Sequence, residues 1–344
     1  MTLKAGSVPE EPVNVGVDDG YAAVKLAWYD GNGTIQTMTV PSRARRGSYG
    51  VGSLIGGDEP VMGFETEGER FTVGPGIEGE TTRIPEYNMS SLSRVLSHYA
   101  LIAAGFAGKS VRIASGLPLD RYFREDPDGK KKDEGRVARK IENFAKPVKR
   151  LDGGETARIE RHAVYPQGFA AVVDWLFSDS GDLLRTQEHP IGIVDIGGQT
   201  TDVSVILPRI QADHDRLATF EVGALDVREL ARRRIMGATN ADEISDAEMD
   251  RAMATGHLKI WGKDVHVADA CRMAIREIES QIDVRIRSVF GKKTSSLEAV
   301  LFVGGGLFVF HDLSSAYPNA VVTDGPEFAN ARGLLKAMTI LEGK

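Results

Sequence analysis

The sequence predicts an α/β protein of two like domains, each a mixed sheet with helices packed on it. Three observations predict it. The chain has 344 residues, more than one compact domain usually holds. Apolar strands alternate with stretches of helical periodicity in both halves. Finally, VGVDDGYAAVKLAWY (residues 15–29) and IVDIGGQTTDVSVIL (residues 193–207) share one layout. Each reads as an apolar strand, an aspartate, a glycine-containing turn and a second strand, the pattern of an internal duplication.

The elements follow in order. Residues 13–17, 23–29 and 34–40 read as strands, the last two joined by the turn residues Asp30-Gly31-Asn32-Gly33. Residues 43–82 are rich in Gly and Glu, with strand-like pieces such as 70–73. A helix over 90–104 sets Leu92, Val95, Leu96, Tyr99 and Ala103 on one face. A strand at 111–114 closes at Gly116-Leu117-Pro118. Residues 126–132 read as a solvated loop and 135–145 as a helix. Residues 148–159 read as a hairpin turning at Asp152-Gly153-Gly154, and 167–177 as a short apolar helix. The polar stretch 178–190, with Gly181 and Pro190, marks a change of domain. The second half restarts with strands at 191–196, 201–207 and 216–222. Gly223 then opens a helix to about residue 234, and 249–255 is a short helix. Val267, Cys271, Ala274, Ile275, Ile278, Ile282, Ile286 and Val289 recur at helical steps and predict one long amphipathic helix. A buried strand at 299–303 runs into Gly304-Gly305-Gly306, and a helix from about 328 to 341 ends the pattern.

Composition narrows the function. Apolar residues make up 42%, enough for sizeable cores, and the net charge of −7 argues against broad non-specific nucleic-acid binding. One cysteine, Cys271, excludes an internal disulfide framework and fits a reducing cytoplasm. No apolar run reaches membrane-spanning length. Residues 1–12 lack the apolar segment of a secretory signal and read as a disordered tail.

The chemistry sits in the turns. A glycine-rich turn between strands points successive backbone N–H groups into one small volume, which suits phosphate oxygens. Thr200 and Thr201 can add hydroxyl donors. Carboxylates repel phosphate, so Asp18 and Asp195 make sense as the side facing Mg²⁺, a cation that takes hard oxygen ligands partly through water. Lys25 is then a counter-charge to the phosphates. Two such hairpins, one per domain, would clamp a triphosphate across a cleft. A third motif, AVLFVGGGLFVF (residues 299–310), would let backbone lie against a flat adenosine. It is neither a Walker loop nor a dinucleotide fingerprint.

Together these residues resemble the phosphate-1, phosphate-2 and adenosine motifs of the actin-like ATPase superfamily. Within it the chain is most similar to the plasmid-segregation actins, the ParM/StbA family. The stretches that carry the likeness are VNVGVDDGYAAVKLAWYDGNGTIQ, VRIASGLPLDRYF and KIENFAKPVKRLDGGETARIERHAVYPQG. The resemblance implies two RNase H-like domains, with mixed five-stranded sheets, over residues 13–186 and 187–327. It implies a final helix (328–344) packed back on the first domain, and ATP with Mg²⁺ in the cleft. It also implies polymerisation with ATP into filaments that segregate plasmid DNA through an adaptor protein bound to a centromere-like site, without direct sequence-specific DNA binding or a membrane. Carried over by residue, Asp18 and Asp195 take the metal side. Asp19, Gly20, Tyr21, Lys25, Gly197, Gly198, Gln199 and Thr200 take phosphate positions. Gly304, Gly305 and Gly306 take the nucleoside position, and Arg228 lies in the loop approaching the ribose. Gln167 takes the place that orients the attacking water, where ParM relatives often carry glutamate. Two departures stand out: Asp226 where relatives usually have glycine, and Tyr21 in place of a small residue.

The remaining features have plainer readings. Arg43, Arg45 and Arg46 read as a solvated loop, Arg232–Arg234 as a helix end, and Trp28, Trp175 and Trp261 as packing. No histidine pair has metal-ligand spacing. Two other functions compete with the filament ATPase: a small-molecule kinase of the same superfamily, and a non-polymerising actin-like scaffold. ATP-dependent light scattering separates the first reading from both.

Overall fold

The computed structural model describes residues 11–342 apart from 48–60, 75–76, 78, 81, 85 and 128. The tail expected over residues 1–12 therefore lies, up to residue 10, outside the described residues. The first half forms β1 (Val13–Asp19), β2 (Ala23–Tyr29), β3 (Ile35–Pro41), β4 (Ala44–Arg46), β5 (Met62–Thr66) and β6 (Glu69–Val73). It continues with α1 (Ser91–Ala103), β7 (Ser110–Leu117), α2 (Leu119–Tyr122), β8 (Phe123–Arg124), β9 (Lys131–Lys132) and α3 (Glu134–Ala145). It ends with β10 (Lys149–Arg150), β11 (Arg158–Pro166) and α4 (Phe169–Leu176). The second half forms β12 (Ile191–Ile196), β13 (Thr201–Leu207), β14 (Gln211–Phe220), α5 (Ala224–Thr239), α6 (Asp246–Thr255), β15 (His257–Ile260) and β16 (Lys263–His266). It closes with α7 (Ala268–Phe290), β17 (Val300–Val303), β18 (Ala320–Val322) and α8 (Ala329–Glu342).

The duplication read from the sequence is a duplication of topology. One sheet runs β11-β7-β1-β2-β3 and the other β14-β13-β12-β17-β18. In each, an antiparallel three-strand meander (β1-β2-β3, β12-β13-β14) is extended on its first strand by two parallel strands. This is the mixed two-domain architecture expected. Parallel neighbours need crossover connections, and helices supply them. Local signals start those helices. The Ser90 hydroxyl accepts from Ser93 N at the start of α1, Asp133 accepts from Arg136 N at α3, and Ser245 with Glu248 forms a capping box at α6.

Each half has its own apolar core, and two helices cross between them. Ala171, Val172 and Leu176 of α4 pack on Ile193, Leu301 and Val303 of the second sheet. Ala331, Leu334, Leu335 and Met338 of α8 pack with Ala27 and Ala114 of the first sheet. Burying Leu334 and Leu335 fully contributes about 2 kcal/mol each. Where the helices meet, buried Asp174 accepts from Arg332 at 2.7 Å and from Lys336 at 2.9 Å. Removing one partner of such a buried group would leave an uncompensated charge.

Three expectations are corrected. Residues 148–159 are not a hairpin: β10 pairs antiparallel with β5, whereas β11 pairs parallel with β7. The Asp152-Gly153-Gly154 turn forms, with Gly153 at φ 77°, but its flanks find partners far along the chain. Arg45 and Arg46 lie in β4, paired with β6, not in a free loop. Trp261 is 69% exposed. It sits with Gly262 at the tip of the β15–β16 hairpin, both at positive φ (52° and 75°), and the sequence reading had not placed that hairpin.

Candidate functional site

The ends of β1 and β12 meet across the cleft between the sheets. In the β1–β2 ladder Asp18 lies opposite Lys25, and in the β12–β13 ladder Asp195 lies opposite Asp202. Lys25 Nζ donates to Asp18 Oδ2 at 3.0 Å. Burial lowers the Lys25 pKa, but the carboxylates of Asp18, Asp195 and Glu327 outweigh it and hold the ammonium above its usual range. The turns themselves share a construction. In the first, the carbonyls of Gly20, Tyr21 and Ala22 are drawn back by Ser42 Oγ, Thr82 Oγ1 and Ser42 N at 2.8, 2.8 and 2.9 Å. In the second, the carbonyls of Gly197 and Gly198 accept from Ala224 N and Leu225 N at 3.1 and 2.8 Å. The amides of Gly20, Tyr21 and Ala22, and of Gly198, Gln199 and Thr200, donate to no acceptor among the described residues. Gly198 packs directly on Ala22, so the two turns touch. Gly20, Tyr21, Ala22, Gly198 and Thr200 line one cavity, and unused N–H groups gathered there would suit an anion, as a cradle.

Carboxylates flank the cradle. Asp195 is buried and accepts from Asn330 Nδ2 at 2.6 Å. Burial first, then the neighbouring Asp18 charge, pushes its pKa up to about 6. Asp202 accepts from Thr219 and, at 3.3 Å, from Thr200. Burial and Asp195 push it up to about 7. Gln167 Nε2 lies 3.5 Å from Asp18 Oδ1. Its backbone N donates to Leu117 O at 2.7 Å, which seats it at the end of β7. Gly116 makes that seat: a Cβ there would come within 2.6 Å of Gln167 Cγ. Gly304 does the same for Asp195, since its φ is +92° and a Cβ would lie 2.5 Å from Asp195 Oδ1.

The structure therefore brings Asp18, Gly20, Tyr21, Lys25, Gln167, Asp195, Gly197, Gly198 and Thr200 around one cavity of about 70 Å³. That is room for a phosphate group or a few waters. Gly304 abuts Asp195, and Gly306 packs on Ile196 behind the strand; Gly305 is open, with Glu327 as its nearest neighbour. Other residues are placed elsewhere. Asp19 borders the cavity, but its carboxylate is turned into the first half, where Lys140 donates at 2.8 Å and Ser93 at 3.1 Å. Burial raises its pKa against the pull of Lys140. Gln199 does not line the cavity. Arg228 pairs with Asp246 at 3.1 Å in a separate cleft space of about 710 Å³. Tyr21 stacks on Tyr87 with ring centroids 5.0 Å apart, which accommodates its bulk beside the turn.

Among the cavity-lining residues to which the sequence analysis gave no role are Asp202, Asn330 and Arg121. Asp202 was legible in principle, since it occupies the hairpin position that Lys25 holds in the first half. Among the described residues no group of three His, Cys, Asp or Glu side chains forms a ready metal shell. The carboxylates of Asp18 and Asp195 still fit a hard divalent cation. Both are buried, burial and the Asp18 charge disfavour Asp195 as a bare anion, and such a cation would complete its shell with water and phosphate oxygens.

Comparisons with known proteins agree with this fold. The family model for the N-terminal domain of plasmid segregation protein ParM matches residues 13–177. That for the C-terminal domain of the archaeal actin homologue MreB-like matches residues 193–313. A search of the curated proteins gave no match. Among solved structures, the archaeal actin homolog Ta0583 is 21% identical over 96% of this chain and 100% of its own, with a TM-score of 0.73. ParM in a 15-stranded filament from Clostridium botulinum is 18% identical over 95% and 99%, with a TM-score of 0.74. Bacillus thuringiensis ParM with ATP is 14% identical over 97% and 100%, with a TM-score of 0.64. At these identities the likeness is one of fold. No helix among the described residues is long and apolar enough to cross a membrane.

Proposed function

The chain belongs to the actin-like proteins, with a ParM N-terminal domain and an MreB-like C-terminal domain, and on that premise we propose that it is an ATPase that polymerises with ATP. One observation carries the reading: two turns of matching construction present unused backbone amides to each other, with Asp18, Lys25, Gln167 and Asp195 beside them. In this reading the amides of Gly20–Ala22, Gly198 and Thr200 bind phosphate oxygens and stabilise the charge that builds on the transferring phosphoryl group. Lys25 adds a fixed positive charge. Gln167 orients the attacking water, and the neutral amide suits orientation better than proton abstraction. Asp202, whose carboxyl is pushed up to about 7, is the group in the cavity that would take the proton. Mg²⁺, when bound, neutralises phosphate charge, and Asp18 and Asp195 would hold it. Asn330 fixes the Asp195 carboxylate for that role.

ATP between the halves would favour the closed, assembling state, and hydrolysis would release it. The finer biology follows the ParM likeness: a cytoplasmic filament that moves plasmid DNA through a DNA-bound adaptor. The test is light scattering with pelleting, on protein with Mg-ATP, with Mg-ADP and without nucleotide, beside Asp195→Ala. Assembly with ATP alone, lost in the variant, is the expected result. Absence of assembly over a wide concentration range would instead favour the kinase or the scaffold.

A further inference from the structure

Asp226 is the departure that the sequence singled out, and the structure gives it two partners. One carboxylate oxygen accepts from Gly223 N at 2.8 Å, capping the start of α5. The other meets Arg83 of the first half at 2.9 Å. Both ends of this contact are anchored on the phosphate turns. On one side, the residue before Arg83 is Thr82, whose hydroxyl donates to Tyr21 O. On the other, the residues just before Asp226 donate to Gly197 O and Gly198 O. The nearest competing cation on α5, Arg228, is drawn to Asp246 on α6. Arg83 lies at the edge of the 710 Å³ cleft space, which Leu225 and Arg228 also line; that volume suits a nucleoside. A second cross-cleft pair, Arg43 with Asp250, stands in the same space.

We propose that Arg83 and Asp226 form a tie across the cleft that holds the two phosphate turns at their closed spacing and slows nucleotide release. The inference rests on the nucleotide-binding reading above. Release requires the halves to part, and parting them breaks the tie. The side chains are 33% and 24% exposed, so the tie is a partly screened ion pair. It acts on position and not on the reacting atoms. Glycine at residue 226 would remove this tie and leave the Arg43–Asp250 pair in the same space.

The experiment uses the full chain loaded with a fluorescent ADP analogue and chased with unlabelled ATP in a stopped-flow instrument. Asp226→Asn keeps an oxygen for Gly223 N, so it removes the charge and spares the helix cap. Arg83→Ala removes the other partner. Each should speed release about three- to fivefold, and the double variant should be no faster than either. Added NaCl should speed release from the wild type more than from Arg83→Ala, because salt screens the pair that the variant lacks; Arg83→Lys should recover part of the slow release. Unchanged release in both single variants, or additive effects in the double, overturns the tie. If the wild type takes no nucleotide, the ATPase reading fails instead. The tie is then read by small-angle scattering of the ligand-free proteins: expansion in Arg83→Ala supports it, and identical profiles overturn it.

Discussion

The two hairpins share one ladder and differ in the charge that faces the aspartate at the cleft. Opposite Asp18 the first has Lys25, and opposite Asp195 the second has Asp202. The first hairpin therefore reaches the cleft already paired, at 3.0 Å. The second brings a buried and a half-buried carboxylate together, and both are pushed up, to about 6 and about 7. The difference teaches that a duplicated scaffold divides its labour through a single cross-strand position. In the proposed reading, one half offers a fixed cation to phosphate, and the other keeps a demand for positive charge that a metal or a proton can meet.

The strongest way to break this contrast is Asp202→Lys, which copies the first pair into the second hairpin. The second half should lose its demand for a cation, and ATP turnover should fall about 100-fold or more in a phosphate-release assay. Turnover within about threefold of wild type would mean that the charge at this position is immaterial. A smaller effect is expected from Gly116→Ala. The added Cβ meets Gln167 Cγ at 2.6 Å and should push the amide off its station. The kcat should drop about tenfold with nucleotide affinity nearly unchanged; an equal loss of affinity would place Gln167 in binding instead.

The smallest effect sharpens the electrostatic half of the comparison. The folded pKa of Asp202 lies above its unfolded value near 3.8. Its protonated form thus favours the fold below about pH 4, and that advantage is lost as pH rises through about 7. Asp202→Asn removes the cost of ionisation. In metal-free buffer it should be more stable than wild type at pH 8 and no more stable at pH 4, read from urea midpoints. An equal gain at both pH values would assign the effect to packing.

Much of the fold was legible because its signals are local. β1, β2, β12 and β13 announce themselves by apolar runs around glycine turns, and α7 by its apolar stripe. Trp261 misled because a lone tryptophan says core, while its actual place follows from a positive-φ turn at a hairpin tip. The segment around Asp152 misled because turn chemistry is set by neighbours and strand pairing is not.

The sequence by itself determined the duplicated hairpins, the charges at their ends and the caps that start the helices. These depend on residues a few positions apart, where backbone preference and side-chain chemistry act directly. Only the tertiary structure decided which carboxylate serves the cleft. Asp19 is taken by Lys140, 121 residues away, and Asp195 is held by Asn330, 135 residues away. Asp226 finds Arg83 across the interface of the two halves. Such partners are chosen by the packing of the sheets and of α4 against α8, which fixes distances that no local rule contains.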